Sequence, residues 1–191
     1  SAAEFARQRD KIVSALRAID ADVVGLMEIE NNGQVAVQNL VTAFNSAYGA
    51  SVYAAVGLPA GGPGTDAIRV AMIYKPGRVS PVSAALSDTN PVHNRPPLAQ
   101  TFAVASGERF SVVVNHFKSK SCGSPTGTNV DQGDGQGCWN ALRVSQANAL
   151  VTFVQTLSAT SGSGDVLMIG DLNSYGKEDP VNALTGAGMI N

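Results

Sequence analysis

The sequence predicts a layered, mixed α/β sandwich in one domain. Helix-like and strand-like segments alternate along the chain, and several of the strand-like ones are short, continuous apolar runs. Residues 98–104 and 109–116 read as an antiparallel hairpin across Ala105-Ser-Gly-Glu. That hairpin breaks a pure strand-helix-strand order and so disfavours a plain doubly wound sheet. With 191 residues, 44% of them hydrophobic, the chain can bury a substantial core, and neither a repeat nor a linker divides it.

From the N-terminus, Ser1 and Glu4 have capping-box spacing, and Phe5, Ile12, Leu16 and Ile19 recur on one helical face. Residues 22–29 form an apolar run of the kind found in strands buried on both faces. Asn31-Asn32-Gly33 is a turn signal. Residues 35–48 read as a second helix, with Val37, Leu40, Val41 and Phe44 inward and Gly49 as its stop. Residues 52–56 are strand-like, 58–65 a Gly/Pro-rich loop, and 67–74 a strand stopped by Pro76. Residues 77–97 are irregular and proline-rich. After the hairpin come a long polar loop (119–137), the longest helix (139–157), a buried strand (166–169), a loop (171–177) and the start of a short helix (180–184). Both ends read as cut: no strand precedes the first helix, and strand-like material only begins at Ile190-Asn191.

Charge narrows the function classes. Only 15% of residues are charged and the formal net charge is −2. A module that holds nucleic acid by charge alone carries a basic surplus, so this balance disfavours one. It is compatible with an enzyme whose positive charge at a phosphate comes from a bound metal. No apolar run approaches the roughly 20 residues that span a bilayer. The N-terminus does not read as a signal peptide, which a mature or shortened chain explains as well as a cytosolic origin does. Cys122 and Cys138 flank a segment rich in Gly, Ser and Asp. Two free thiols are one reading; a disulfide is the expectation, because a long polar loop is otherwise poorly held. A metal site there is disfavoured, since two cysteines without nearby histidine do not complete a tetrahedral set.

Three segments share a layout. Glu28 follows Val-Val-Gly-Leu-Met, His116 follows Val-Val-Val-Asn, and Asp171 and Asn173 follow Val-Leu-Met-Ile-Gly, with Gly170 letting the backbone turn. Polar groups delivered at the carboxyl ends of apolar strands mark the edge where α/β sheets collect ligands. Singly, Glu28 reads as a solvated strand end, His116 as a structural histidine, and Asp171 and Asn173 as turn caps. Together, a carboxylate, an imidazole and an Asp-x-Asn pair are what hard-cation phosphoryl chemistry uses: oxygen ligands for the cation and donors for phosphoryl oxygens.

Met27-Glu28, Asn94-Arg95-Pro96-Pro97-Leu98, Asn115-His116 and Gly170-Asp171-Leu172-Asn173 resemble, in order, the motifs of the endonuclease/exonuclease/phosphatase superfamily. The longer strings Met27-Glu28-Ile-Glu-Asn-Asn, Asn115-His-Phe-Lys-Ser-Lys and Gly133-Asp-Gly-Gln-Gly-Cys-Trp-Asn resemble its secreted bacterial nucleases. The resemblance covers nearly the whole chain. It implies a four-layer α/β sandwich of the deoxyribonuclease I-like type, here without its terminal strands, over residues 1–191. Glu28 is implied as ligand of the catalytic divalent metal, Mg²⁺ first, with Ca²⁺ and Mn²⁺ as alternatives. His116 is implied to hydrogen-bond a phosphate or leaving-group oxygen, Asp171 to orient or deprotonate the attacking water, and Asn173 to steady that centre. Arg95 stands where related nucleases set an arginine against a substrate phosphate, an ordinary loop arginine being the even alternative. Arg69 is a weaker candidate for reaching the site, and Arg143 reads as structural. The family usually has Gln where Met27 stands. Its site also uses an Asn on the first strand, an Asp-His pair on the last and a further Asp between. None of these is present, so the resemblance implies part of an active site and little turnover from this chain alone.

The leading functional expectation is a secreted nuclease acting on DNA and on RNA as a second substrate. Within the same fold the alternative is a phosphatase or phospholipase acting on inositol phosphates or sphingomyelin. From another class, the alternative is a catalytically silent binding module, which would have no use for the retained polar set. Location outside a bacterial cell or on its surface, and self-association through exposed sheet edges, complete the expectations.

Overall fold

A computed structural model describes residues 2–191 of the chain. In chain order the elements are α1 (Ala2–Ile19), β1 (Val23–Glu30), α2 (Val35–Tyr48), β2 (Ala54–Ala55), β3 (Ile68–Tyr74), β4 (Val79–Pro81) and β5 (Leu86–Ser87). They continue with β6 (Leu98–Val104), β7 (Arg109–His116), α3 (Asn140–Ser161), β8 (Val166–Asp171) and α4 (Asp179–Gly186). One sheet runs β1-β3-β2, all antiparallel. The other runs β4-β6-β7-β8, with β5 also on β6. Its pairs are antiparallel except β7 with β8, which are parallel.

Alternation of side chains along the two most buried strands builds the layers. Val70 and Met72 of β3 meet Phe102 of β6 and Val112 and Val114 of β7 between the sheets. Ala71 and Ile73, on the opposite face of β3, pack under Val37, Val41 and Phe44 of α2 and Val13 of α1. Val113 of β7 points the other way, into Ala147, Leu150 and Val154 of α3 and Leu184 of α4. The order is therefore helices, sheet, sheet, helices, and the expected four-layer sandwich is the fold. Each side chain of this size that is removed fully from water contributes about 1.5–3 kcal/mol.

Three expectations shift. Residues 22–29 read as a strand buried on both faces and 166–169 as a buried strand, yet β1 and β8 are the outer strands of their sheets and only partly buried. Leu167 is 58% exposed. A continuous apolar run does not reveal how many neighbours a strand has. The α1 stripe is rotated: Val13 and Leu16 enter the core, whereas Phe5 (57%), Ile12 and Ile19 remain exposed. Ser1 of the expected capping box lies outside the described residues, and Glu4 instead accepts hydrogen bonds from Arg7 and Gln8. The irregular stretch 77–97 contains the short strands β4 and β5, which the prolines had hidden.

Cys122 and Cys138 form a disulfide across the long polar loop. Arg143, fully buried on α3, gathers that loop from below by donating to the carbonyls of Gln136, Cys138 and Lys118. Burial lowers its pKa from the ordinary value, against the charge of Glu178.

Candidate active site

Glu28 owes its position to a bulge. Leu26 pairs with Ala71 and Ile29 with Arg69, so Met27 and Glu28 together oppose Val70 alone. Glu28 has φ 58°, a left-handed conformation that a non-glycine residue adopts at a cost of about 1–3 kcal/mol. Such bulges re-aim a side chain at a sheet rim. The bulged end of β1 lies beside the second sheet, for β1 contacts both β7 and β8. Gly25 permits that approach: a Cβ there would lie 2.7 Å from Ile169 Cδ1 and 2.9 Å from Val114 Cγ2.

His116 and Asp171 are register partners at the ends of the parallel strands β7 and β8. One residue earlier, Asn115 pairs with Gly170, whose φ is 125° and whose missing Cβ position lies 2.1 Å from the Asn115 carbonyl oxygen. Phe117 ties the loops together. Its N–H donates to the Asp171 carbonyl at 2.9 Å. Its carbonyl accepts from Arg95 Nη2 (2.6 Å) and Asn173 Nδ2 (3.1 Å), and its buried ring anchors it in the α3–α4 core. The Asn173 N–H donates to Asp171 Oδ1 at 2.7 Å, which orients that carboxylate, and Asn173 holds φ 49°, a conformation asparagine tolerates.

Arg95 completes the frame. Its Nε donates to the His116 carbonyl at 3.3 Å and its Nη1 to Asp66 Oδ2 at 3.1 Å. With the Phe117 bond these engage three of a guanidinium's five N–H groups and leave one on each terminal nitrogen. His116 is 5% exposed, and its Nδ1 is buried without a hydrogen-bond partner among the described residues. Burial lowers its pKa, reinforced by the charge of Arg95 and opposed by Asp171, Glu28 and Asp66. His116 is therefore neutral at neutral pH, with one N–H to donate. Those four charges act on one imidazole from four separate segments, so the structure brings Glu28, His116, Asp171, Asn173 and Arg95 to one end of the sandwich.

The two other arginines considered from sequence lie elsewhere. Arg69 is buried and donates to the Val70 and Gly33 carbonyls and to Gln34 Oε1. Arg143 serves the disulfide loop. Sequence reading missed Asp66, which holds Arg95, and Phe117; only the adjacency of Phe117 to Asn115-His116 could have flagged it, and nothing in its loop distinguishes Asp66. On the β8 side, Asp171 and Asn173 border a cleft of about 290 Å³ with Lys120, Ser174 and Tyr175. On the β1 side, Glu28 borders a groove of about 230 Å³ with Phe5, Ile12 and Leu40. A larger hollow between α1 and α2, about 590 Å³, contains none of the site residues.

Among the described residues, no three His, Cys, Asp or Glu side chains are gathered as a ready metal cage. The donors present are two carboxylates, Glu28 and Asp171, with the amide oxygen of Asn173. That set fits Mg²⁺, which binds through one or two carboxylates and takes water and substrate phosphate for its other positions. An oxygen-only set of this kind is less suited to copper and to structural zinc sites, which are richer in nitrogen and sulfur ligands.

A family model described as the Endonuclease/Exonuclease/phosphatase family matches residues 1–188. No curated protein sequence matches the chain. Among solved structures, the human Nocturnin catalytic domain with bound sulfate anion is similar, at TM-score 0.61 and 18% identity, over 92% of this chain and 60% of that one. The mannosyl-6-phosphatase Bt3783 of Bacteroides thetaiotaomicron is similar at TM-score 0.63 and 12% identity, over 96% of this chain and 62% of that one. TDP2 from C. elegans is similar at TM-score 0.58 and 12% identity, over 90% of this chain and 44% of that one. The chain thus spans less than two thirds of each of these neighbours.

Proposed function

The chain belongs to the endonuclease/exonuclease/phosphatase family, and from that premise we propose that it is a metal-dependent phosphodiester hydrolase, a secreted bacterial nuclease that cleaves DNA, and RNA as a second substrate. The observation that carries this reading is the convergence of Glu28, His116, Asp171 and Asn173 at the rim where the two sheets meet. Glu28 would hold the cation, which when bound would supply positive charge against the phosphoryl oxygens. His116, kept neutral by burial and by Arg95, donates its N–H to a phosphoryl oxygen. Asp171, fixed through one oxygen by the Asn173 N–H, turns the other toward the attacking water and orients it. The two remaining N–H groups of Arg95 suit a phosphate oxygen of the substrate. The Cys122–Cys138 disulfide supports an oxidising compartment and so the secreted assignment.

Plasmid nicking tests the proposal. Supercoiled DNA is incubated with this chain and with a form extended at both ends, in Mg²⁺ or Ca²⁺, with and without EDTA, beside Glu28→Ala and His116→Ala. Nicking that EDTA abolishes and each substitution lowers about 100-fold or more is the expected result. Nicking that survives EDTA or the loss of Glu28 would sink the metal-dependent reading. The phosphatases among the structural neighbours favour a second reading, phosphomonoester or head-group hydrolysis. Intact plasmid together with hydrolysis of inositol phosphates or sphingomyelin would establish it instead.

A further inference from the structure

We propose that Tyr175 is the base-stacking platform of this site, carrying the nucleobase next to the scissile phosphate and thereby setting a preference for nucleic acid over other phosphoesters; this rests on the nuclease reading above. Tyr175 is 79% exposed, the most exposed aromatic ring among the described residues. It follows Asp171 and Asn173 by a few residues in the same loop, and it shares their cleft. Its hydroxyl makes no hydrogen bond among the described residues. Its backbone is held by the Glu178 N–H, which donates to the Tyr175 carbonyl at 2.9 Å.

One side of the ring is already occupied. Lys120 Nζ lies 4.4 Å from the ring centroid, and Lys120 is itself fixed by an ion pair with the buried Glu178. The ring is thus braced by a cation on one side and open to water on the other. A large flat apolar face left exposed beside phosphoryl chemistry is suited to a base, since every base has a π-face and stacking is indifferent to sequence. The wall of the cleft adds Ser174, whose hydroxyl is buried without a partner among the described residues.

The neighbouring aromatic pair shows what a structural counterpart looks like. Lys118 lies 4.9 Å from the Trp139 ring, but Trp139 is half-buried and its indole N–H donates to the Ser121 carbonyl at 2.9 Å. Trp139 closes the disulfide loop; Tyr175 closes nothing.

The test is binding, which does not depend on turnover. Fluorescence anisotropy measures the affinity of this chain for a short labelled oligothymidylate and for an abasic strand of equal length, in EDTA and again in Mg²⁺. Tyr175→Ala is expected to weaken binding of the base-bearing strand about 10-fold and to leave the abasic strand unchanged, with Tyr175→Phe close to the parent protein. Equal losses on both strands, or none on either, would overturn the platform, because a ring that merely shields the Lys120–Glu178 pair cannot distinguish them. Equal affinity of the parent protein for the two strands overturns the platform and leaves the nuclease reading standing. If the parent protein binds neither strand, both readings fall together.

Discussion

Replacing Gly170 by alanine isolates the device that brings His116 and Asp171 together. Two independent penalties meet at this position. The backbone φ of 125° is one that L side chains rarely adopt, and holding a residue there costs about 1–3 kcal/mol. The new methyl carbon would also sit 2.1 Å from the Asn115 carbonyl oxygen and 2.8 Å from its nitrogen. Both are backbone atoms of a strand buried on both faces, so no side chain can swing aside. Relief requires β7 and β8 to part by about 1 Å, breaking ladder hydrogen bonds at the rim, with an overpacking cost of about 1–3 kcal/mol. The sum is about 2–6 kcal/mol, a large share of the 5–15 kcal/mol typical of a domain. Urea unfolding followed by Trp139 fluorescence and circular dichroism gives the number. Two companions make the reasoning refutable. Gly25→Ala meets only the Ile169 and Val114 side chains, which can shift, and should cost about 1–2 kcal/mol. Gly164→Ala meets nothing and should stay within about 0.5 kcal/mol. A loss below about 1 kcal/mol at Gly170, or equal losses at Gly170 and Gly25, would refute the claim that backbone approach is what demands glycine here.

Acid should weaken the fold through two histidines. Burial lowers the folded-state pKa of His93 despite its 2.8 Å contact with Asp88, and burial with Arg95 lowers that of His116. The unfolded chain therefore binds protons more readily, so this stability is complete above about pH 6.5 and is lost as pH falls below it. Urea midpoints measured across that range should decline toward acid, and His93→Gln should flatten the decline. Reducing the Cys122–Cys138 bridge, whose cysteines are 16 residues apart, should cost about 3 kcal/mol by loop entropy, read as a lowered midpoint in reductant. Arg143→Met removes the donors to three carbonyls under that loop and should cost about 3–5 kcal/mol by the same assay, where an exposed arginine would cost almost nothing.

How much could be read from sequence depended on which physical signal was asked. Val112, Val113 and Val114 announced a strand, and the hairpin of β6 and β7 matched its expected residues at both ends. The polar residues that end β1, β7 and β8 were legible because charged and amide groups directly after apolar runs are conspicuous. The exposure of β1 and β8 was not legible, since Leu167 and Ile169 are the same residue types a buried strand would use. Nor was the orientation of α1, where Val13 and Ile12 compete for the inward position and only packing against Val37 and Val41 decides. The hold on Arg95 was illegible for another reason. Asp66 is 29 residues away, in a loop with no periodicity, and backbone carbonyls such as that of Phe117 carry no sequence signature at all.

The pairing of β7 with β8 is what turns these scattered residues into a site. Every other strand pair among the described residues is antiparallel, and an antiparallel pair sends the carboxyl ends of its strands in opposite directions. Had β8 run that way, Asp171 would lie at the far end of β7, near Arg109. The parallel register sets Asp171 opposite His116 and carries Asn173 past the end of β7 to the Phe117 carbonyl. Parallel strands need a crossover of a dozen residues or more, and here it contains α3, whose inner face is the floor under β7. The same helix carries Arg143, which holds the loop that the disulfide closes. The crossover through α3 and the placement of Asp171 both follow from the parallel pairing of β7 with β8. A substitution that loosens the α3 contacts with Val113 should therefore shift Asp171 against His116 before it unfolds the sheet.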